Sequence, residues 1–218
     1  MKVRVESKTG SVNVVAEEGA TLLVSGANVE MKEDGSSIVR SGSHSIDVRC
    51  APGTDIVVGT MSGSVRATGA LGRTHVASKS GSIEIDTATT VDARTHSGSV
   101  RVGECAGDCR VVVTSGKIRL GRVGNASLNN VSGSITVDVA HSGEVKTVSG
   151  TVRVGTSATG VLKIRSISGT VEIAVPVGRT PAARLKSISG SISNDCDQGT
   201  DGEIDVKTVS GTIRIECR

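Results

Sequence analysis

Thr147-Val148-Ser149-Gly150-Thr151-Val152-Arg153-Val154 decides the fold. Val152 and Val154 alternate with Thr151 and Arg153, the period of a strand with one apolar face. The Ser-Gly pair before them is turn chemistry, glycine supplying backbone freedom at a tight corner. The arrangement recurs at Gly63, Gly81, Gly98, Gly116, Gly133, Gly150, Gly169, Gly190 and Gly211, at separations of 18, 17, 18, 17, 17, 19, 21 and 21 residues. A short period sustained over this length marks a stacked-repeat architecture.

Working outward from each glycine, an apolar residue stands two places on: Val65, Ile83, Val100, Ile118, Ile135, Val152, Val171, Ile192 and Ile213. Four places on, the column is apolar except at Asn194. Five places before lie Val76, Ala93, Val111, Leu128, Val145, Ile164, Leu185 and Val206, and small residues such as Ser78, Thr95, Thr147 and Ser166 follow near the corner. Each repeat therefore reads as strand, Ser-Gly corner, strand and a looser connection. Stacked in parallel ~4.8 Å apart, such repeats predict an all-β fold. The expected form is a single-stranded-type right-handed parallel β-helix, a β-solenoid, of about 10–12 rungs. The chain has no Phe, Tyr or Trp but 28 glycines, which suits a core only a few aliphatic side chains wide.

One domain, residues 1–218, is expected. Val3, Val5, Ser7, Gly10, Val12 and Val14 already fit the repeat, residues 61–218 carry it regularly, and residues 15–60 are irregular. Atypical or antiparallel strands are expected there, around the Asp34-Gly35 and Pro52-Gly53 turns, covering one open end. The first strand begins at residue 2 and the last stops at Cys217-Arg218, so both ends of the stack are expected to be poorly capped and open to pairing. Arg214 and Glu216 on the last strand would then oppose such stacking.

A formal charge of +3 distributed in both signs does not call for nucleic acid. The opening residues alternate apolar and charged, and no apolar span is long enough to cross a membrane, so a cytoplasmic protein without a transmembrane segment is expected. Five cysteines form an odd, scattered set, for which reduced thiols are expected.

Cys50-Ala51-Pro52-Gly53-Thr54-Asp55-Ile56-Val57-Val58, followed by Ser62-Gly63-Ser64-Val65-Arg66-Ala67-Thr68-Gly69 and later by Thr147 to Val154, resembles a known family. It is the bacterial β-strand-repeat "putative adhesin" domain of unknown function, and the resemblance extends from about residue 2 to 218. It implies a parallel β-helix fold and, for some members, an envelope-stress association. It implies no catalytic residues.

Three places after each glycine an outward column contains Arg66, Arg101, Arg119, Arg153 and Arg214, the candidate interaction ladder. A basic stripe could track an anionic polymer. Glu84 and Glu172 interrupt it, and no aromatic platform accompanies it, so the sequence favours a solvated face of cross-strand pairs. The Ser/Thr column beside the corner, broken by Lys117, reads as turn grammar. The carboxylate-rich loop Asp195–Glu203 departs from calcium-loop spacing. Cys105-x3-Cys109 lacks a second ligand pair for zinc, and His44, His75, His96 and His141 fall at different repeat positions. No nucleophile elbow or phosphate loop occurs. No catalytic residue, metal or cofactor is expected.

The function expected is a non-enzymatic structural or interaction role: a rigid repeat surface for a protein partner, scaffolding or self-association through the solenoid ends. The alternatives are a carbohydrate-active β-helix enzyme and a polyanion-binding module.

Overall fold

The computed structural model describes residues 1–32, 36–157 and 159–218; the Asp34-Gly35 turn expected above lies outside them. The strands are β1 (Lys2–Ser7), β2 (Val12–Ala16), β3 (Leu23–Ser25), β4 (Asn28–Met31), β5 (Ser36–Ser41), β6 (Ile46–Cys50), β7 (Asp55–Thr60), β8 (Val65–Ser80), β9 (Ile83–Ser97), β10 (Val100–Thr156), β11 (Val161–Val175), β12 (Ala182–Ser189), β13 (Ile192–Asn194) and β14 (Glu203–Cys217). All belong to one large sheet, and nearly all pairings are parallel. No helix long and apolar enough to cross a membrane occurs among the described residues.

Register follows the repeat. Val65 pairs with Ile83, Ile83 with Val100, Val152 with Val171 and Val171 with Ile213, and each is at most 1% exposed. The corners align too: a Cβ built on Gly116 would collide with the Gly98 carbonyl, one on Gly133 with Gly116, and one on Gly150 with Gly133. The long ribbon β10 therefore comes back beside its own earlier corner every 17 residues.

The connections are not loose, as the sequence implied. Strand pairing runs through them, and Leu71, Ala88, Cys105, Val123 and Ala140 turn inward as a third buried wall. Each connection lies beside the equivalent connection of its neighbour, so its backbone groups find partners there, as buried peptide groups must.

The stack does not follow chain order at either end. Strand β14 pairs with β11 on one side and with β12 and β13 on the other, whereas among the described residues β12 pairs only with β14. At the other end β1 lies between β7 and β5, and β2 between β8 and β6. Both chain termini thus sit one level in from the edge. This corrects the expectation that the first and last strands form the ends; Arg214 and Glu216 guard no edge.

Residues 15–60 are only partly irregular. Strands β5, β6 and β7 are parallel members of the stack, while β4 pairs antiparallel with β5 and β3 with β6. Leu22, Val24 and Ala27 from this antiparallel turn pack against the core cluster. At the opposite end Leu185 is half-buried and Ile192 is 46% exposed, because no strand among the described residues pairs beyond β12 and β13.

Candidate interaction surface

The structure divides the arginine ladder. Arg66 donates through Nε and Nη2 to Glu84 Oε2 at 3.1 and 2.9 Å, and Arg153 Nε donates to Glu172 Oε2 at 2.6 Å. Arg214 Nη1 lies 3.6 Å from Glu216 Oε1. These pairs are largely solvated, each contributing at most about 1 kcal/mol, and they neutralise their stretches of the ladder. Arg101 and Arg119 have no carboxylate partner among the described residues. With Lys117, Ser99, Ser134 and Thr136 they line a cleft of about 210 Å³.

A second outward face was missed in the sequence. Two residues before the corner glycine stand Val131, Val148, Ile167, Val209 and Ile188, exposed by 48, 43, 53, 47 and 75%. They follow one another on neighbouring strands, because Ser166 pairs with Thr208 and Ser187 with Thr208 on either side of β14. Beside them runs a column of exposed cations: Lys146 pairs in register with Arg165, Arg165 with Lys207, and Lys207 with Lys186. Lys146 and Lys207 keep local partners in Glu144 at 3.0 Å and Asp205 at 3.5 Å. In the next column Lys163 and Arg184 alternate in register with Glu144 and Asp205, and Arg184 Nη1 lies 3.8 Å from Glu203 Oε1, so that column is balanced in charge. The result is an apolar stripe with a cationic border.

The small residues before the corner point inward, as expected. Thr95, Thr147, Ser166 and Thr208 are buried, and each donates its hydroxyl to the carbonyl two residues on, at 3.3–3.4 Å. Asn130 occupies the same column, and neither of its side-chain amide atoms finds a partner among the described residues. Asn130→Thr would restore the hydroxyl bond of its neighbours. We expect it to stabilise the protein by about 1–2 kcal/mol, read as a higher midpoint in urea; an unchanged or lower midpoint would contradict this account of the corner. The outward Ser/Thr column, including Ser64, Ser82 and Thr151, is exposed or half-buried.

The cysteine expectation is corrected. Cys196 and Cys217 form a disulfide with their Cα atoms 5.4 Å apart. The cause is register: Asn194 pairs with Ile215, which places the two cysteines opposite each other across β13 and β14. Cys50, Cys105 and Cys109 are free and buried. A hydrogen bond between the Cys105 and Cys109 sulfurs, followed by burial, pushes the Cys109 thiol far above its usual range, and burial likewise raises Cys50. Thiol titration of the unfolded, unreduced chain should find three reactive groups, and five after reduction. Breaking the bridge, which closes a 21-residue loop, should cost about 3 kcal/mol.

In the loop Asp195–Glu203, Asp201 Oδ2 accepts the Thr180 N–H at 2.8 Å, which holds its carboxyl below the ordinary carboxylate range. Gln198 Oε1 accepts the Ala183 N–H on the outermost strand at 3.2 Å. His75 Nδ1 is 3.5 Å from Asp92, His141 Nδ1 lies near Ser157 and Thr159, and His96 is exposed at its corner. His44 belongs to the exposed turn before β6, where its carbonyl abuts Gly10. The structure brings none of these histidines together with Cys105 and Cys109.

The chain matches no family model and none of the curated proteins. Among solved structures it is similar to a putative adhesin from Bacteroides fragilis. That match covers 98% of this chain and 91% of that one, at a TM-score of 0.52 and 9% identity. A putative cell adhesion protein from Clostridium sporogenes is matched over 100% of this chain and 92% of its own, at a TM-score of 0.26 and 8% identity. The Bacteroides likeness is one of fold.

Proposed function

We propose that this chain is a non-enzymatic interaction module, a single-domain right-handed β-solenoid that holds an acidic protein partner on its apolar, cation-bordered flank. The coiling is supported by the corner glycines, each of which lies against the glycine carbonyl of the preceding level from Gly63 to Gly169, and the right hand by the general preference of parallel crossovers. The observation that carries the function is the unbroken column Val131, Val148, Ile167, Val209 and Ile188. Contiguous exposed apolar surface on a soluble fold marks an interaction site. At ~4.8 Å per level the column is about 20 Å long, and Lys146, Arg165, Lys207 and Lys186 give it a cationic border that selects for negative charge.

The chemistry favours a protein over a lipid surface. Interfacial membrane binding relies on large side chains such as Trp, Phe and Leu that reach into the headgroup layer, whereas this column has only short β-branched residues on a sheet. An adhesion role of the kind named for the Bacteroides fragilis protein is compatible with such a flank. The Cys196–Cys217 bridge favours oxidising surroundings for that work, since such bonds persist there.

The test is capture from native cells with the wild-type chain, an Ile167→Asp/Val209→Asp variant and a Thr212→Asp control, all checked for folding by circular dichroism. The reading requires a protein retained by the wild type and the control but lost from the double variant. Equal retention by all three would refute it.

A further inference from the structure

Apart from that flank, and independently of it, we infer that the cleft between Arg101 and Arg119 binds a tetrahedral oxyanion, a sulfate or phosphate group. Three cations, Arg101, Lys117 and Arg119, converge with three hydroxyls, Ser99, Ser134 and Thr136, on a cleft of about 210 Å³. None of the six makes a side-chain hydrogen bond or ion pair among the described residues. Elsewhere on the same column each ladder arginine has a carboxylate: Glu84 for Arg66, Glu172 for Arg153 and Glu216 for Arg214.

Here the pattern breaks twice. Arg101 and Arg119 occupy neighbouring levels, so like charges face each other ~4.8 Å apart along the stack, an arrangement that costs stability. Lys117 takes the place of the Ser or Thr that most other repeats put beside the corner, adding a third charge to the same spot. An anion relieves this repulsion. Guanidinium forks and an ammonium beside hydroxyl donors are the groups that recognise a tetrahedral oxyanion.

The surroundings limit what can enter. Glu84 stands on the level before Arg101. On the flanking side, Asp86 and Asp138 border a separate groove of about 640 Å³ floored in part by Gly103 and Gly121. These carboxylates fence the cationic spot and repel a broad polyanion such as duplex nucleic acid, so the ligand is one compact oxyanion. It is either free in solution or carried by a sulfated or phosphorylated sugar.

The experiment follows arginine Nε–Hε resonances of the full chain while inorganic sulfate replaces chloride at constant ionic strength. Saturable shifts at Arg101 and Arg119, with Arg66 and Arg153 unmoved, are expected. Arg101→Gln/Arg119→Gln should weaken binding at least tenfold, Lys117→Ser several-fold, and Arg66→Gln not at all. Circular dichroism verifies each fold, and the lysine variant keeps the test alive should the double variant not fold. A sulfated oligosaccharide binding more tightly than inorganic sulfate assigns the site to a carried group; equal affinity per sulfate assigns it to the free ion. Shifts that grow linearly and alike at every arginine, or equal weakening by Arg66→Gln, would overturn the site.

Discussion

Deleting residues 203–218 should unfold more of the chain than it removes. Among the described residues β12 has β14 as its one hydrogen-bonded neighbour in the sheet, so without β14 the backbone of Ala182–Ser189 has no ladder to join. The deletion also takes Ile204, Val206, Ile213 and Ile215 out of the core, burial amounting to roughly 6–12 kcal/mol at 1.5–3 kcal/mol per side chain. Amides in residues 182–194 are expected to exchange as in an unfolded chain, while those of β9 and most of β10 remain protected. Persistent protection of Ala182–Ser189 would mean that β12 can dock directly on β11, against the inserted order. The same deletion removes Lys207 and Val209 from the middle of the cation-bordered flank, so partner capture should fail with it.

Gly150→Ala should be among the most damaging single substitutions. Gly150 sits at φ 129°, and a Cβ there would collide with the backbone carbonyl of Gly133. Neither group can swing aside as a flexible side chain would, and the levels of Gly133 and Gly150, both part of β10, cannot separate locally without disturbing the stacking of that ribbon on itself. A loss of about 3 kcal/mol or more is expected from backbone strain and displaced packing together. Gly59→Ala is the control, since nothing lies within 4 Å of a Cβ at that position; it should change stability by no more than about 0.5 kcal/mol. Urea unfolding followed by far-ultraviolet circular dichroism measures both, as the chain has no aromatic side chain to report. Similar midpoints for the two variants would contradict the corner contact.

The inward columns were legible because a strand has period two: Val152 and Val154 declare their face wherever the stack places them. The level order was not legible, since Gly190 and Gly211 each follow at 21 residues and local pattern cannot say which lies next to Gly169. Two signals were nonetheless present. Asn194 stands where the equivalent position of the last strand has Ile215, which marks its repeat as the one with a side open to solvent. Cys196 and Cys217 are separated by the same 21 residues as those glycines. They therefore share one repeat position, which the odd cysteine count obscured.

The arginine ladder was read as one column, and its division depended on which carboxylates reach which guanidinium, a matter of rotamers that spacing does not give. The apolar flank was available by parity. Val145 and Thr147 face inward, so Lys146 and Val148 must face outward, but apolar residues within a strand are easily assigned to its core.

Site-specific photo-crosslinking in native cells tests the central claim most directly. A photoreactive side chain at Ile167, in the middle of the flank, should capture a discrete protein partner, and the same group at Thr212 on the opposite side of the corner should not. Capture at Thr212 and none at Ile167 would contradict the assignment of this flank as the interaction surface.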